Sequence, residues 1–152
     1  MITSKLVLIT GGSRGLGFAA ARKFARTGFR VVLTSRSAAR ADEAATTLRL
    51  ETPEAVIRGM ALDLSSLGNV RAFAAELAAQ EDALHVLVAN AANLPANMPN
   101  AKVPEYTAEG FETTFATNHL GRDCKVVLGC IHRGCYYAVG LVRRRIKALR
   151  PS

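Results

Sequence analysis

The segment Thr10-Gly-Gly-Ser-Arg-Gly-Leu-Gly17 restricts what this chain can fold into more than any other. Ahead of it lies Lys5-Leu-Val-Leu-Ile-Thr10, a short apolar run rich in β-branched residues, which reads as a buried parallel strand. Behind it, Leu16, Ala19, Ala20, Phe24 and Ala25 recur at helical spacing, and Gly28 supplies the stop. A strand that turns through glycines straight into a helix leaves the first-turn N–H groups and the positive end of the helix dipole open. Gly11, Gly15 and Gly17 suit a tight turn in which backbone approaches a pyrophosphate closely. Thr10, Ser13, Arg14 and Leu16 are the other candidate contacts of that loop.

The strand–helix alternation continues. Arg30–Thr34 predicts a second strand and Ala38–Leu50 an alanine-rich helix. Ala55–Leu62 predicts a third strand, and Ser65 or Ser66 caps a helix to about Gln80 with Val70, Phe73, Ala74 and Leu77 inward. Leu84–Ala89 predicts a fourth strand. Pro95, Pro99 and Pro104 make 93–106 a loop, and Thr107 or Glu109 opens a further helix carrying Phe111, Phe115 and Leu120. This order predicts an α/β fold, a doubly wound parallel sheet with helices on both faces.

The strand ends carry the next candidates. After the second strand the chain reads Thr34-Ser-Arg-Ser37, without the carboxylate that a ribose 2′-OH would favour. Arg36, beside Ser35, suits a 2′-phosphate instead, and Arg14 reaches from the glycine loop toward the same group. That pattern favours NADP over NAD; the alternative is a solvated loop cation. Asp63 and Leu64 follow the third strand, where a carboxylate or neighbouring backbone can meet an adenine amino group or begin the next helix. Asn90-Ala91-Ala92 follows the fourth strand, small enough to pass close to a ligand.

Taken together, Thr10-Gly11-x-x-x-Gly15-x-Gly17, Asp63, Leu87-Val88-Ala89-Asn90-Ala91-Ala92 and Asn118-His119-Leu120-Gly121 resemble the N-terminal, cofactor-binding half of the short-chain dehydrogenase/reductase family. Glu109 to Gly121 is similar to the retinol-dehydrogenase-like branch. In the third motif, Ala89 and Ala92 stand where the family usually has Asn and Gly. The resemblance implies a Rossmann-like NAD(P)-binding sheet and hydride transfer between a nicotinamide and a small carbonyl or alcohol. It also implies a Tyr general acid/base, a Lys that lowers its pKa and a Ser that orients substrate, with Asn118 matching an Asn that supports a water relay.

The catalytic Tyr requires a Lys four residues on, so that both side chains share a helix face. Tyr106, Tyr136 and Tyr137 are followed at that spacing by Gly110, Gly140 and Leu141, and no Ser occurs between Gly121 and Pro151. Composition shifts at the same point. Of 20 Lys+Arg and 12 Asp+Glu, residues 122–152 hold 8 basic residues and only Asp123, and also all three cysteines. Residues 1–121 therefore read as a Rossmann-like dinucleotide-binding part with about four family strands. Residues 122–152 read as an atypical basic tail, its origin a frameshift or a retained intron, with Val126–Leu128 a substitute strand and Tyr136–Leu149 a basic helix.

On this reading the chain is a truncated member of an NADP-binding oxidoreductase family, which on its own binds NADP weakly or not at all and has negligible reductase activity. The alternative is a non-catalytic NADP-binding or interaction protein that pairs with a full-length paralogue, and so forms an oligomer. A third reading is a basic tail that binds nucleic acid or an anionic membrane through Arg143-Arg-Arg-Ile-Lys147; five such residues are a common accidental motif, so no nucleic-acid partner is expected. Cys124, Cys130, His132 and Cys135 fit no tight metal spacing, so no metal is expected. No apolar run approaches the ~20 residues of a membrane span. The start lacks a signal-peptide pattern, which places the chain in the reducing cytoplasm.

Overall fold

A computed structural model describes residues 5–93, 104–121 and 136–139. The first strand, β1 (Leu6–Ile9), is fully buried and feeds helix α1 (Gly15–Arg26) through the glycine turn. β2 (Arg30–Ser35), α2 (Ala38–Glu51), β3 (Ile57–Ala61), α3 (Leu67–Gln80) and β4 (Val86–Ala89) follow. Gly28, at φ +81°, ends α1 as expected. Ser66 rather than Ser65 caps α3, its hydroxyl accepting from the Asn69 N–H at 3.3 Å.

All strand pairs are parallel, and the order is β3-β2-β1-β4-β5. The chain builds outward from β1 to β3, then crosses to the other side of β1 for β4. The alternation of side chains along β1 divides the core in two. Leu6 and Leu8 pack with Val70, Phe73 and Leu77 of α3. Val7 and Ile9 pack on the opposite face with Ala21 and Ala25 of α1 and Ala41, Ala45 and Leu48 of α2. The alanines let both helices sit close to the sheet, so the predicted doubly wound architecture is the one observed.

The structure differs from the sequence reading in three respects. The helix placed from Thr107 or Glu109 starts later, as α4 (Thr113–Phe115), and widens at once into a π-turn (Ala116–Leu120). Residues 106–112 instead form a small hairpin, with a bridge between Tyr106 and Glu112 and Gly110 at φ +83°. Glu112 then caps the helix, its carboxylate accepting from the N–H groups of Thr114 at 2.8 Å and Phe115 at 2.7 Å.

The second difference is β5 (Tyr136–Val139), a strand where a basic helix was expected. It runs parallel to β4, with Tyr136 opposite Val86 and Val139 opposite Ala89. Tyr-Tyr-Ala-Val has strand-forming composition, and the open edge of β4 offers backbone partners that a helix would leave unpaired. The proposed strand at Val126–Leu128, the candidate metal ligands and the rest of the proposed tail helix lie outside the described residues.

The third difference is that β3 and β4 begin later than the apolar runs suggest. Leu84 is buried in the core ahead of β4, and the N–H of Leu6 donates to His85 Nδ1 at 3.1 Å. Among the described residues no helix is long and apolar enough to cross a membrane.

Two ion-pair groups tie the layers together. Glu81, at the C-terminus of α3, is buried and binds both Arg30 of β2 and Arg58 of β3. Glu51, at the end of α2, takes a bidentate pair from Arg22 of α1 at 2.6 and 2.9 Å. Hydrogen bonding to Arg22 holds the Glu51 carboxyl below its ordinary value.

Two outcomes follow. Glu81→Gln removes the carboxylate that both arginines share and leaves them without that counter-charge. Because both are partly solvated, the expected cost is about 2 kcal/mol, read as a lower denaturant midpoint at unchanged slope. Glu51, with its lowered folded-state pKa, contributes stability that is present above its ordinary value of 4.5 and is lost as pH falls through the folded value. Glu112 behaves the same way, because backbone N–H groups hold its carboxylate ionised. An acid scan of melting temperature is therefore expected to be shallower in Glu51→Gln than in the wild-type chain.

Candidate nucleotide-binding site

The sheet order reverses between β1 and β4, so their chains leave in different directions and open a crevice at their C-terminal ends. Thr10 and Asn90 stitch the base of this crevice. The Thr10 hydroxyl accepts from the N–H groups of Asn90 and Ala91, both at 3.1 Å. The Asn90 side-chain amide donates in turn to the carbonyls of Thr10 and Gly11, both at 3.1 Å.

Glycine is required in two places for different reasons. Gly11 sits at φ +65°, and a Cβ there would lie 2.9 Å from the Ala91 Cα. A Cβ on Gly17 would lie 2.3 Å from the Gly11 carbonyl oxygen and 2.5 Å from Asn90 Nδ2. The first turn of α1 is thereby pulled down onto the loop and onto β4. No side chain caps α1, so its N-terminus faces the crevice with backbone donors available to a ligand.

The resulting cleft has a volume of about 510 Å³, within the range of small-molecule sites. The glycine loop contributes Gly11, Ser13, Arg14, Gly15 and Leu16, and the end of β2 contributes Ser35 and Arg36. Leu62 and Leu64 after β3 and Asn90, Ala91 and Ala92 after β4 form other walls. The sequence reading thus brought most of these residues to one place.

Four candidates stand apart from the lining. Thr10 and Gly17 are buried beneath it as the structural base. Asp63 Oδ1 accepts from the Ser65 N–H at 2.9 Å and from its hydroxyl at 2.6 Å, and the Asp63 N–H donates to Asn69 Oδ1 at 2.8 Å. Asp63 therefore shapes the turn that presents Leu64. Asn118 clasps Asn93: its Oδ1 accepts from the Asn93 N–H and its Nδ2 donates to the Asn93 carbonyl, both at 2.7 Å.

Arg40, Asn93 and Thr117 also line the cleft, and sequence reasoning missed them. Arg40 was findable in principle. Ser37 caps α2, accepting from the Arg40 N–H at 3.3 Å, and a cation in that first turn is brought back toward the end of β2. The lining among the described residues holds Arg14, Arg36 and Arg40 and no carboxylate.

Comparison with known proteins agrees with this geometry. Residues 5–123 match the family model for short chain dehydrogenases. The human WW domain-containing oxidoreductase is 42% identical over 121 residues, covering 78% of this chain and 27% of that protein. Mouse retinol dehydrogenase 12 is 39% identical over 120 residues, covering 79% of this chain and 36% of that protein. An alcohol dehydrogenase from Thermococcus sibiricus, solved with 5-hydroxy-NADP, superposes with a TM-score of 0.66 at 31% identity, over 84% of this chain and 53% of its own. The chain thus spans about a third of the length of these curated relatives. It belongs to the short-chain dehydrogenase family and within it is similar to the retinol-dehydrogenase-like members.

Proposed function

We propose that the cleft binds NADP(H), with the pyrophosphate at the start of α1 and the 2′-phosphate among the three arginines. The observation that carries this is the charge of the lining: Arg14, Arg36 and Arg40 all line the cleft, and no carboxylate does among the described residues. A guanidinium pairs a phosphate in a charge-assisted, bidentate way, whereas a ribose diol calls for a carboxylate at the end of β2. The fit is supported by the glycine cradle, which a Cβ at position 11 or 17 would fill, and by the uncapped helix. Solved relatives that carry NADP or NADPH support it further.

In this reading Ser13, Gly15 and Leu16 meet the phosphates through loop backbone and the first turn of α1, while Ser35 hydrogen-bonds beside Arg36. Leu62 and Leu64 flank an adenine, and Asn90, Ala91 and Ala92 pass beneath the ribose. When bound, the nicotinamide supplies the hydride donor or acceptor for a small carbonyl or alcohol. The chain's own residues bind and orient the dinucleotide. Asn118, bonded to Asn93, is the remnant of the proton relay.

Proton transfer to the substrate oxygen is a separate requirement. None of the three tyrosines has a Lys four residues later, and the segment after Gly121 has no Ser before the last residue. A missing general acid typically costs 10²–10⁴ in rate. We therefore assign to the 152-residue chain nucleotide binding with negligible carbonyl reduction, with 1–121 as the binding part and 122–152 as an atypical tail. A non-catalytic partner of a full-length paralogue is the second reading; with β4 covered by β5, it would have to use a sheet edge other than β4. A reducing, cytoplasmic setting accords with three cysteines whose spacing suggests no disulfide framework.

Titration with NADPH and NADH tests the binding claim. Arg36→Ala is expected to weaken NADPH by about 10- to 100-fold, the value of a charged hydrogen-bonded pair, with little effect on NADH. Equal losses for both nucleotides would remove the 2′-phosphate assignment. In a steady-state assay with NADPH and simple aldehydes, turnover by the purified chain is expected at background. Turnover abolished by Arg36→Ala would overturn that expectation.

A further inference from the structure

Glu109 lies well away from the glycine loop, at the tip of the 106–112 hairpin. Its Oε1 nevertheless accepts from the Leu67 N–H at 3.1 Å and from the Ser66 hydroxyl at 3.3 Å. A carboxylate at the first turn of α3 satisfies an open helix donor and complements the dipole. The turn it grips, 62–66, is the one that presents Leu64 to the cleft.

The same hairpin-and-helix unit touches that turn a second time. Gly121 lies so close to the Leu64 backbone that a Cβ on it would come within 2.0 Å of the Leu64 carbonyl oxygen. Between these two anchors, Thr117 lines the cleft and Asn118 holds Asn93 on the opposite rim. The unit is therefore a strap that joins the wall after β3 to the wall after β4 and is fastened at both ends. Its large side chains add little to the core: Tyr106, Phe111 and Phe115 are all exposed, and the buried residues of the unit are the small Ala116 and Gly121. A strap with so little buried side-chain area depends on its polar fastenings for position.

We propose that Glu109 is a positioning residue for nucleotide binding: by fastening the strap to the start of α3, it holds Leu64 and Thr117 at the separation the dinucleotide needs. This rests on the nucleotide reading of the cleft. Coupling of this kind is reciprocal, so the nucleotide must tighten the Glu109 fastening as much as the fastening tightens the nucleotide.

The test uses the full 152-residue chain, with NADPH titration and amide hydrogen exchange on the wild type, Glu109→Ala and Glu109→Gln. Glu109→Ala is expected to weaken NADPH about fivefold, in the range of coupling through a packed network. Glu109→Gln keeps an oxygen for the Leu67 N–H and is expected to return affinity to within about twofold of wild type. NADPH is expected to slow Leu67 amide exchange in the wild type and not in Glu109→Ala, a response that a contact serving stability alone would not give. If Glu109→Ala is unfolded by circular dichroism, the Leu67 response of the wild type decides. Wild-type NADPH binding with an unaffected Glu109→Ala, or with Leu67 exchange indifferent to nucleotide, overturns the inference alone. No NADPH binding by the wild-type chain removes the nucleotide reading and this inference with it.

Discussion

The stitch between Thr10 and Asn90 is the constraint on which the rest of the site depends. β1 and β4 are neighbours in the sheet, and their ladder ends where the chains must part. At that point Thr10 accepts two backbone N–H groups from the β4 exit while Asn90 returns two bonds to the β1 exit. Backbone groups that a simple divergence would leave unpaired are satisfied, and the crevice opens without a penalty for buried polar atoms. The arrangement needs close contact, which explains the small residues around it. Gly11 packs on Ala91, and Gly17 brings the first turn of α1 against Asn90. A larger side chain at either glycine would push the helix N-terminus away from the groups that fix its direction.

What could be read in the sequence followed from how local the governing interactions are. The glycine turn, the Gly28 stop and the serine cap of α3 are set by residues within a few positions of one another, and all were legible. The start of α4 was not. Thr107 or Glu109 read as the opening of that helix, but the Glu109 carboxylate serves α3, 42 residues away in sequence, and Glu112 supplies the cap instead. The contact that commits Glu109 to α3 is long-range and leaves no mark in local spacing. Tyr136–Val139 is a similar case. Its basic surroundings suggested a helix lying over the fourth strand, whereas residues 136–139 pair with the free edge of β4 as a strand, a feature of the assembled sheet.

Arg40 shows the same limit inside the site. Arg14 and Arg36 were legible because each lies at a strand-to-helix junction, where side chains near strand C-termini converge. Arg40 enters the cleft only because Ser37 caps α2 and so fixes the first turn at the end of β2. Periodicity alone would count it as one more charge on an exposed helix face. The cap, a structural feature, is what turns that charge into part of the site.

The charge of the chain is informative only at this local scale. The formal +8 comes mostly from residues 122–152, while residues 1–121 carry nearly equal numbers of acids and bases. Exposed charges separated by more than about 10 Å are largely screened at ordinary ionic strength, so the overall count contributes little to what a cleft binds. Arg14, Arg36 and Arg40 line one cleft together, so their charge is concentrated there and not spread over the surface. Residues 1–121 are nearly neutral in net charge, while the cleft lining among the described residues holds three arginines and no carboxylate. A charged ligand meets the arrangement of side chains in a cleft, not the sum over the chain.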